Sequence, residues 1–354
     1  MTDETILAPL LRSMTVLEFI ARHLDPLTFD AMMVAVGTPE QGLRDLPEVA
    51  AAKVGGAGDG PSESLLTASR YVLAAFDGIR TALDQGDDLR AIFRAMRYLP
   101  RAQEALYPLA SKVAAVNGFF LDASLRGDAD ALARGMQAPR ESDTGVMHFD
   151  NAPGSRGGFS LYIPESYTPH QAMPLVMALH GGSGNGRGFL WSWLREARSF
   201  GAIVAAPTAV GQTWALMGED NDTPNLHRIL DFVQQHWRVD PEQLLLTGMS
   251  DGGTFCYVSG LEARSRFTHL APVSATFHPL MATMADSDRV RGLPIYIAHG
   301  ARDWMFPVEV ARRAGQALAA AGADVTTSEI DDLSHCYPRE INATLLAWLR
   351  RASR

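Results

Sequence analysis

The run Gly248-Met249-Ser250-Asp251-Gly252 has the form G-x-S-x-G, and the apolar stretch Leu244-Leu245-Leu246-Thr247 leads straight into it. A helical pattern follows, so Ser250 falls on a strand–turn–helix junction. Glycines two residues before and after the serine let strand and helix approach closely, and the tight turn pushes the hydroxyl out of the sheet. Free amides at the start of the following helix favour negative charge developing there. A plain structural turn is the alternative, but the full setting points to Ser250 as a nucleophile.

A serine hydroxyl at neutral pH needs a base, and the base needs an orienting acid. In sheet-built serine enzymes of this kind the acid and then the histidine follow the serine along the chain. The strand expected at 294–298 ends in His299-Gly300-Ala301-Arg302-Asp303, which puts Asp303 in a loop at a strand's carboxyl end. The strand expected at 324–330 is followed by Asp331-Asp332-Leu333-Ser334-His335-Cys336, which puts His335 just before the last helix. The expected triad is Ser250, Asp303 and His335. His299 is expected to brace the loop of the acid. Asp331 and Asp332 stand too close to His335 in sequence to reach its far nitrogen. Cys336 has no base or elbow of its own and reads as a small buried side chain. The oxyanion needs donors too. The glycine-rich loop His180-Gly181-Gly182-Ser183-Gly184-Asn185-Gly186 follows a strand expected at 175–179 and supplies one, so the hole is assigned to the amides of Gly182 and Asp251. The loop lacks the Lys-Ser/Thr ending of a phosphate cradle.

These loops need a sheet to hold them. From about residue 145 short apolar runs alternate with amphipathic helices. Strands are expected at 146–149, 159–163, 175–179, 202–206, 243–247, 269–274, 294–298 and 324–330. Helices are expected near 187–199, 223–237, 251–264, 308–321 and 338–351. Near-continuous apolar strands flanked by helices mean an α/β domain with a mostly parallel sheet covered on both faces. Residues 1–137 have a different period: Leu10, Met14, Leu17, Ile20 and Leu24 recur at helical steps, as do Leu65, Ala68, Val72, Phe76, Ile79 and Leu83. A third helix, with Leu89, Ile92, Met96 and Leu99, is expected to end at Pro100. A fourth is expected to run from about 101 to 122, bent at Pro108. The domains are therefore 1–137, an all-helical bundle of about four to six helices, and 138–354, the α/β domain. A break at Gly55–Gly60 and a polar linker at 137–144 separate these groups. Arg90, Arg94, Arg97 and Arg101 make a basic stripe that reads as a solvated face, with a dock for an acidic partner as the alternative. Met32 and Met33 read as core.

The stretches Leu179-His180-Gly181-Gly182, Gly248-Met249-Ser250-Asp251-Gly252-Gly253, His299-Gly300-Ala301-Arg302-Asp303 and Ser334-His335 carry a family resemblance. Residues 158–345 resemble the phospholipase/carboxylesterase branch of the α/β-hydrolases, which includes acyl-protein thioesterase-like enzymes. They are also similar to polyhydroxybutyrate-depolymerase-like and feruloyl esterases. The resemblance implies an α/β-hydrolase fold and a metal-independent esterase without a large inserted lid. It also implies that Trp214 corresponds to an aromatic that often lines the pocket. The helical first half lies outside it.

The wider composition narrows the partners. Across 354 residues, 31 basic and 40 acidic side chains leave a net charge of −9, which argues against nucleic acid or an anionic membrane as the main partner. Cys256 and Cys336 are too few for a disulfide framework, and no C-x-x-C or H-x-x-x-H spacing occurs, so neither metal nor cofactor is expected. No apolar run approaches the roughly 18 residues of a membrane span. The acidic start Met1-Thr2-Asp3-Glu4 is unlike a secretory signal, so a cytoplasmic protein is expected. The expected activity is a serine carboxylesterase acting on small soluble esters. Trp214, Phe277, His278, Trp304 and Met305 are pocket candidates, with packing beneath the loops as the alternative. An acyl-thioesterase or serine peptidase with the same machinery is the second reading, and a non-catalytic scaffold the third. The helical domain is expected to act as a cap over the site or as a homodimerisation platform. Acyl and alcohol preference lie beyond the sequence.

Overall fold

In the computed structural model, residues 3–47, 49, 60–86, 89–136 and 143–351 are described. The chain divides into two compact units, Met1–Ala138 and Pro139–Arg354. The break expected at 55–60 and the linker expected at 137–144 lie outside the described residues, but for Gly60, Asp143 and Thr144. Among the described residues no helix is long and apolar enough to cross a membrane.

The first unit is all helical. The helix Asp3–Arg22 buries Leu10, Met14, Leu17 and Ile20 along one face, as their spacing requires. The long helix Pro61–Asp84 buries Leu65, Ala68, Val72, Phe76 and Ile79, then Ala82 rather than Leu83. Its polar ties hold the bundle: Arg80 donates to the buried Glu40 carboxylate at 3.0 and 3.2 Å, which keeps that charge paired. Three expectations need correcting here. The third helix stops at Met96, and a new one, Tyr98–Leu106, carries Pro100 in its first turn. An amide in that turn has no intrahelical acceptor to lose, so proline starts this helix rather than ending one. At Pro108 the chain does not bend but breaks, passing through the tight turn Tyr107–Leu109 before resuming at Ala114–Phe119. The unit also holds more helices than expected, because Phe29–Val36, Gln41–Arg44 and Ala129–Gly135 are too short to show a period. The four arginines of the basic stripe are all exposed, but they span two helices and the junction between them.

The second unit is built on one sheet: β1 (Gly145–Phe149), β2 (Phe159–Ile163), β3 (Met173–Leu179), β4 (Ile203–Pro207), β5 (Val239–Met249), β6 (His269–Val273), β7 (Pro294–Gly300) and β8 (Asp324–Ile330). The strand order is β1-β2-β4-β3-β5-β6-β7-β8. β2 pairs antiparallel with both β1 and β4, and every other pairing is parallel. Every residue of β2, β3, β4 and β6 is buried. Successive side chains point to opposite faces, so both faces of the sheet are covered. After β3 the chain moves to one side, to β4, and after β5 to the other, to β6. The carboxyl ends of neighbouring β3 and β5 therefore flank a crevice. The helix expected at 187–199 is in fact three pieces, Gly186–Phe189, the turn Leu190–Ser192 and Leu194–Phe200. Two further short helices, Leu280–Met284 and Ser287–Val290, lie in the β6–β7 connection.

Candidate active site

β5 delivers Ser250 into its turn with φ 56° and ψ −118°, a conformation costly for any residue with a Cβ. The flanking glycines are dictated by contact. A Cβ on Gly248 would stand 2.6 Å from the carbonyl carbon of Gly252, and one on Gly252 would stand 2.5 Å from the carbonyl oxygen of His180. The strain is held by the turn's surroundings. The Ser250 amide donates to Val273 at the end of β6 (2.9 Å), and its carbonyl accepts from the Thr254 amide in the next helical turn (2.8 Å).

The loops after β7 and β8 meet this turn. Ser250 Oγ lies 3.0 Å from Nε2 of His335, and His335 Nδ1 lies 2.8 Å from Oδ2 of Asp303. All three residues are buried. An ionised carboxylate only accepts, so Nδ1 carries the imidazole proton and Nε2 is free to accept from the serine hydroxyl. Oδ1 of Asp303 accepts from the amides of Met305 (2.9 Å) and Phe306 (2.8 Å), which fixes the carboxylate plane. Burial pushes the Asp303 carboxyl up, but the His335 hydrogen bond, the Phe306 amide and the nearby imidazoles outweigh it. The net result lies below the ordinary carboxylate value. His299 Nε2–H donates to the Phe306 carbonyl at 2.8 Å and stands 3.4 Å from Asp303 Oδ2. Asp331 and Asp332 are exposed, and Cys336 is buried.

The loop after β3 packs onto the turn from the other side. A Cβ on Gly181 would stand 3.7 Å from Ser250 Cβ, and one on Gly182 would stand 2.8 Å from Asp251 Oδ2. Gly182 and Asp251, the two expected oxyanion donors, are thus neighbours beside the serine. His180 anchors the loop, its Nδ1–H donating to the Gly181 carbonyl (2.7 Å) and its Nε2 accepting from the Ala209 amide (3.1 Å). Accepting at Nε2 needs a neutral ring. Burial lowers the His180 pKa to about 4, so the ring stays neutral well below pH 6.

The expected pocket residues differ in exposure. Trp214 is 2% exposed; its Nε1–H donates to the His180 carbonyl (2.7 Å), and its ring stacks on Phe255. Its side chain is thus tied to the backbone at the start of the glycine-rich loop. Phe277 is half-buried with its ring edge-on to Tyr257, while His278 is exposed and accepts the Leu280 amide. Trp304 and Met305 are 39% and 43% exposed beside the acid, and Trp304 stands edge-on to His335. Sequence reasoning missed Phe306, edge-on to the same imidazole, and Thr213, whose hydroxyl donates to Asp251 Oδ2 at 2.6 Å. It also missed the Thr254–Thr276 hydroxyl pair under the turn. None of these has a local sequence signal. A separate cleft of about 300 Å³, lined in part by Leu11, Arg12, Phe119 and Arg126, belongs to the helical unit. Among the described residues no three His, Cys, Asp or Glu side chains gather to hold a metal ion.

A mostly parallel sheet in this order, reversed only at β2, with a serine turn after β5, an acid after β7 and a histidine after β8, is an α/β-hydrolase fold. Within it, residues 216–350 match the Phospholipase/Carboxylesterase family. That stretch holds Ser250, Asp303 and His335 but starts beyond the Gly182 loop. Over an alignment of 131 residues the chain is 30% identical to the poly(3-hydroxybutyrate) depolymerase of Ralstonia pickettii, covering 30% of this chain and 26% of that protein. The chain thus spans about a quarter of that relative's length. Among solved structures it is similar to a ferulic acid esterase, with TM-score 0.49, 16% identity and coverage of 58% of this chain and 97% of that one. It is also similar to an S-formylglutathione hydrolase from Agrobacterium tumefaciens, with TM-score 0.46, 15% identity and coverage of 59% and 93%.

Proposed function

We propose that the protein is a serine carboxylesterase acting on small soluble carboxylic esters. The reading rests on the unbroken hydrogen-bonded chain from Ser250 through His335 to Asp303, at 3.0 and 2.8 Å. Ser250 Oγ attacks the acyl carbon as His335 Nε2 takes its proton. Asp303 keeps the imidazole in the required tautomer and offsets the positive charge that forms. The amides of Gly182 and Asp251 bind the oxyanion. The intermediate collapses as His335 hands the proton to the departing alkoxide, leaving an acyl-serine. A water, deprotonated by the same imidazole, attacks that ester, and the acid and free serine are released. Trp304 and Met305, exposed beside Asp303, are the side chains of the pocket set that this reading keeps for the substrate.

Acyl transfer at a serine does not choose its leaving group, so a thioester or peptide is the second substrate class. A panel of p-nitrophenyl esters, acyl thioesters and peptides ranks the three. A fluorophosphonate probe tests the chemistry itself. The wild type is expected to label at one site, and Ser250→Ala to lose both the label and about a million-fold in kcat. A wild type that takes no label leaves a scaffold role and ends the esterase reading. Deleting residues 1–137 separates cap from dimer platform: altered ester selectivity marks the first, loss of a dimer the second.

A further inference from the structure

The proposed oxyanion hole is built from unpromising material. Its loop carries glycine at 181, 182, 184 and 186, and a glycine-rich backbone has much conformational freedom to lose. The Gly184 amide donates to the Gly181 carbonyl at 3.0 Å, closing a turn with Gly182 and Ser183 at its centre, and Ser183 holds φ at 56°. The His180 ring donates to the Gly181 carbonyl (2.7 Å) and the Gly186 amide to Thr208 Oγ1 (2.8 Å), ties that hold the two ends of the loop but not the Gly184 carbonyl. An electrostatic trap stabilises a transition state only when its dipoles are fixed beforehand.

Arg156, in the β1–β2 connection, supplies the tie at that carbonyl. Its Nη1 donates to the Gly184 carbonyl at 2.9 Å, at the outer corner of the Gly182 turn. Its Nε donates to Gly211 at 2.7 Å and its Nη2 to Gln212 at 3.2 Å, both in the loop after β4. The next two residues of that loop reach the site. Thr213 Oγ1 donates to Asp251 Oδ2 at 2.6 Å, and Trp214 Nε1 donates to the His180 carbonyl at 2.7 Å. The same loop is gripped by Asp222, whose carboxylate accepts from the amides of Val210 (2.7 Å) and Ala215 (2.9 Å). One guanidinium thus joins the segment carrying Gly182 to the segment that touches Asp251. A planar fork suits three carbonyls lying in different directions, which a lysine ammonium on a flexible stem does not match.

We propose that Arg156 is a positioning residue of the oxyanion hole, fixing the amides of Gly182 and Asp251 relative to each other by clamping the Gly184, Gly211 and Gln212 carbonyls. This rests on the esterase reading above, since a hole has a purpose only where an oxyanion forms. Arg156 touches no reacting atom. Its effect belongs to the transition state, so its loss lowers kcat and kcat/KM together and leaves KM nearly alone.

The test compares Arg156→Ala, Arg156→Lys and the surface control Arg266→Ala, whose side chain bonds to Asp231 and Gln234. Hydrolysis of p-nitrophenyl acetate and the rate constant of fluorophosphonate labelling are measured for each. Arg156→Ala is expected to lose about 10- to 100-fold in kcat, the scale of a small misplacement at a reacting centre, with KM within about two-fold. Labelling is expected to slow in parallel, because the phosphoryl oxygen uses the same hole. Arg156→Lys is expected to recover part of the loss, and Arg266→Ala to match the wild type. An unchanged kcat, a loss confined to KM, or an equal loss in Arg266→Ala overturns the proposal. Should Arg156→Ala melt early, Arg156→Lys with a wild-type melting temperature carries the same decision. A wild type that neither turns over nor labels refutes the esterase reading and this proposal with it. An active wild type with an undiminished Arg156→Ala refutes this proposal alone.

Discussion

The two units place their strain differently. In the sheet unit four non-glycine residues hold positive φ: Asp150 (48°), Ser183 (56°), Ser250 (56°) and Ser274 (46°). They follow β1, β3, β5 and β6. Because β2 runs opposite to both of its neighbours, β1 points the same way as the parallel strands, so all four residues lie on one edge of the sheet. Among the described residues 3–136 no non-glycine residue does the same. The helical unit is relaxed backbone over a striped core, with Leu10, Met14, Leu17, Ile20, Val72 and Phe76 fully buried. Strained backbone persists only where the surroundings over-determine it, and here it collects where the candidate chemistry lies. One unit spends its sequence on packing. The other accepts local cost at a single rim.

That contrast is open to attack. Phe76 is fully buried in the longest helix of the bundle. Phe76→Ala is expected to destabilise the protein by about 3–5 kcal/mol in denaturant melts. Its kcat below the melting range is expected to stay within about three-fold of wild type. A large loss of kcat in the folded variant would break the division of labour. Gly182→Ala makes the opposite expectation. Its Cβ would sit 2.8 Å from Asp251 Oδ2, so the carboxylate and its bond from Thr213 must shift. A fall of about 10- to 100-fold in kcat is expected, with a chemical denaturation midpoint close to wild type. A matching collapse in stability would make the loop structural instead.

The smallest effect concerns a buried charge of the sheet unit away from the rim. Burial pushes the Glu196 carboxyl up to about 7, against smaller lowering effects from Arg195 and the hydrogen bond from Asn342. The folded state then holds this proton to higher pH than the unfolded chain, whose carboxyl titrates near 4.5. Stability therefore falls as pH rises from about 4.5 to about 7, and levels off above. Glu196→Gln keeps an acceptor for Asn342 and removes the titration. It is expected to gain about 2–3 kcal/mol on the wild type between pH 5 and pH 8. A difference that does not change with pH would show that Glu196 is charged and stabilised at both.

Much of this architecture is legible along the chain, and the exceptions share a cause. The elbow at 248–252 and the strands ending near 179, 249, 300 and 330 are local patterns, carried by apolar runs and glycine spacing. Pro100 was open to misreading because a proline ends one helix or begins the next, depending on how its neighbours pack. Trp214 has the same sequence whether it lines a pocket or lies under a loop. Its 2% exposure follows from His180 and Phe255 closing around it. Arg156 left no trace, since its three carbonyl partners stand 28, 55 and 56 residues away.

By itself the sequence determined which segments become strands and helices, and which side chains with catalytic chemistry stand at strand ends. Backbone preference and apolar period act over a few residues, so no distant partner is needed to express them. Only the tertiary structure decided that Ser250 and His335, 85 residues apart, come within hydrogen-bond reach, with Asp303 behind the imidazole. It also decided that Gly182 faces Asp251. Those meetings depend on the order β4-β3-β5 and on register across the parallel strands. That order is set by which faces bury one another, a property of the whole core and of no single stretch.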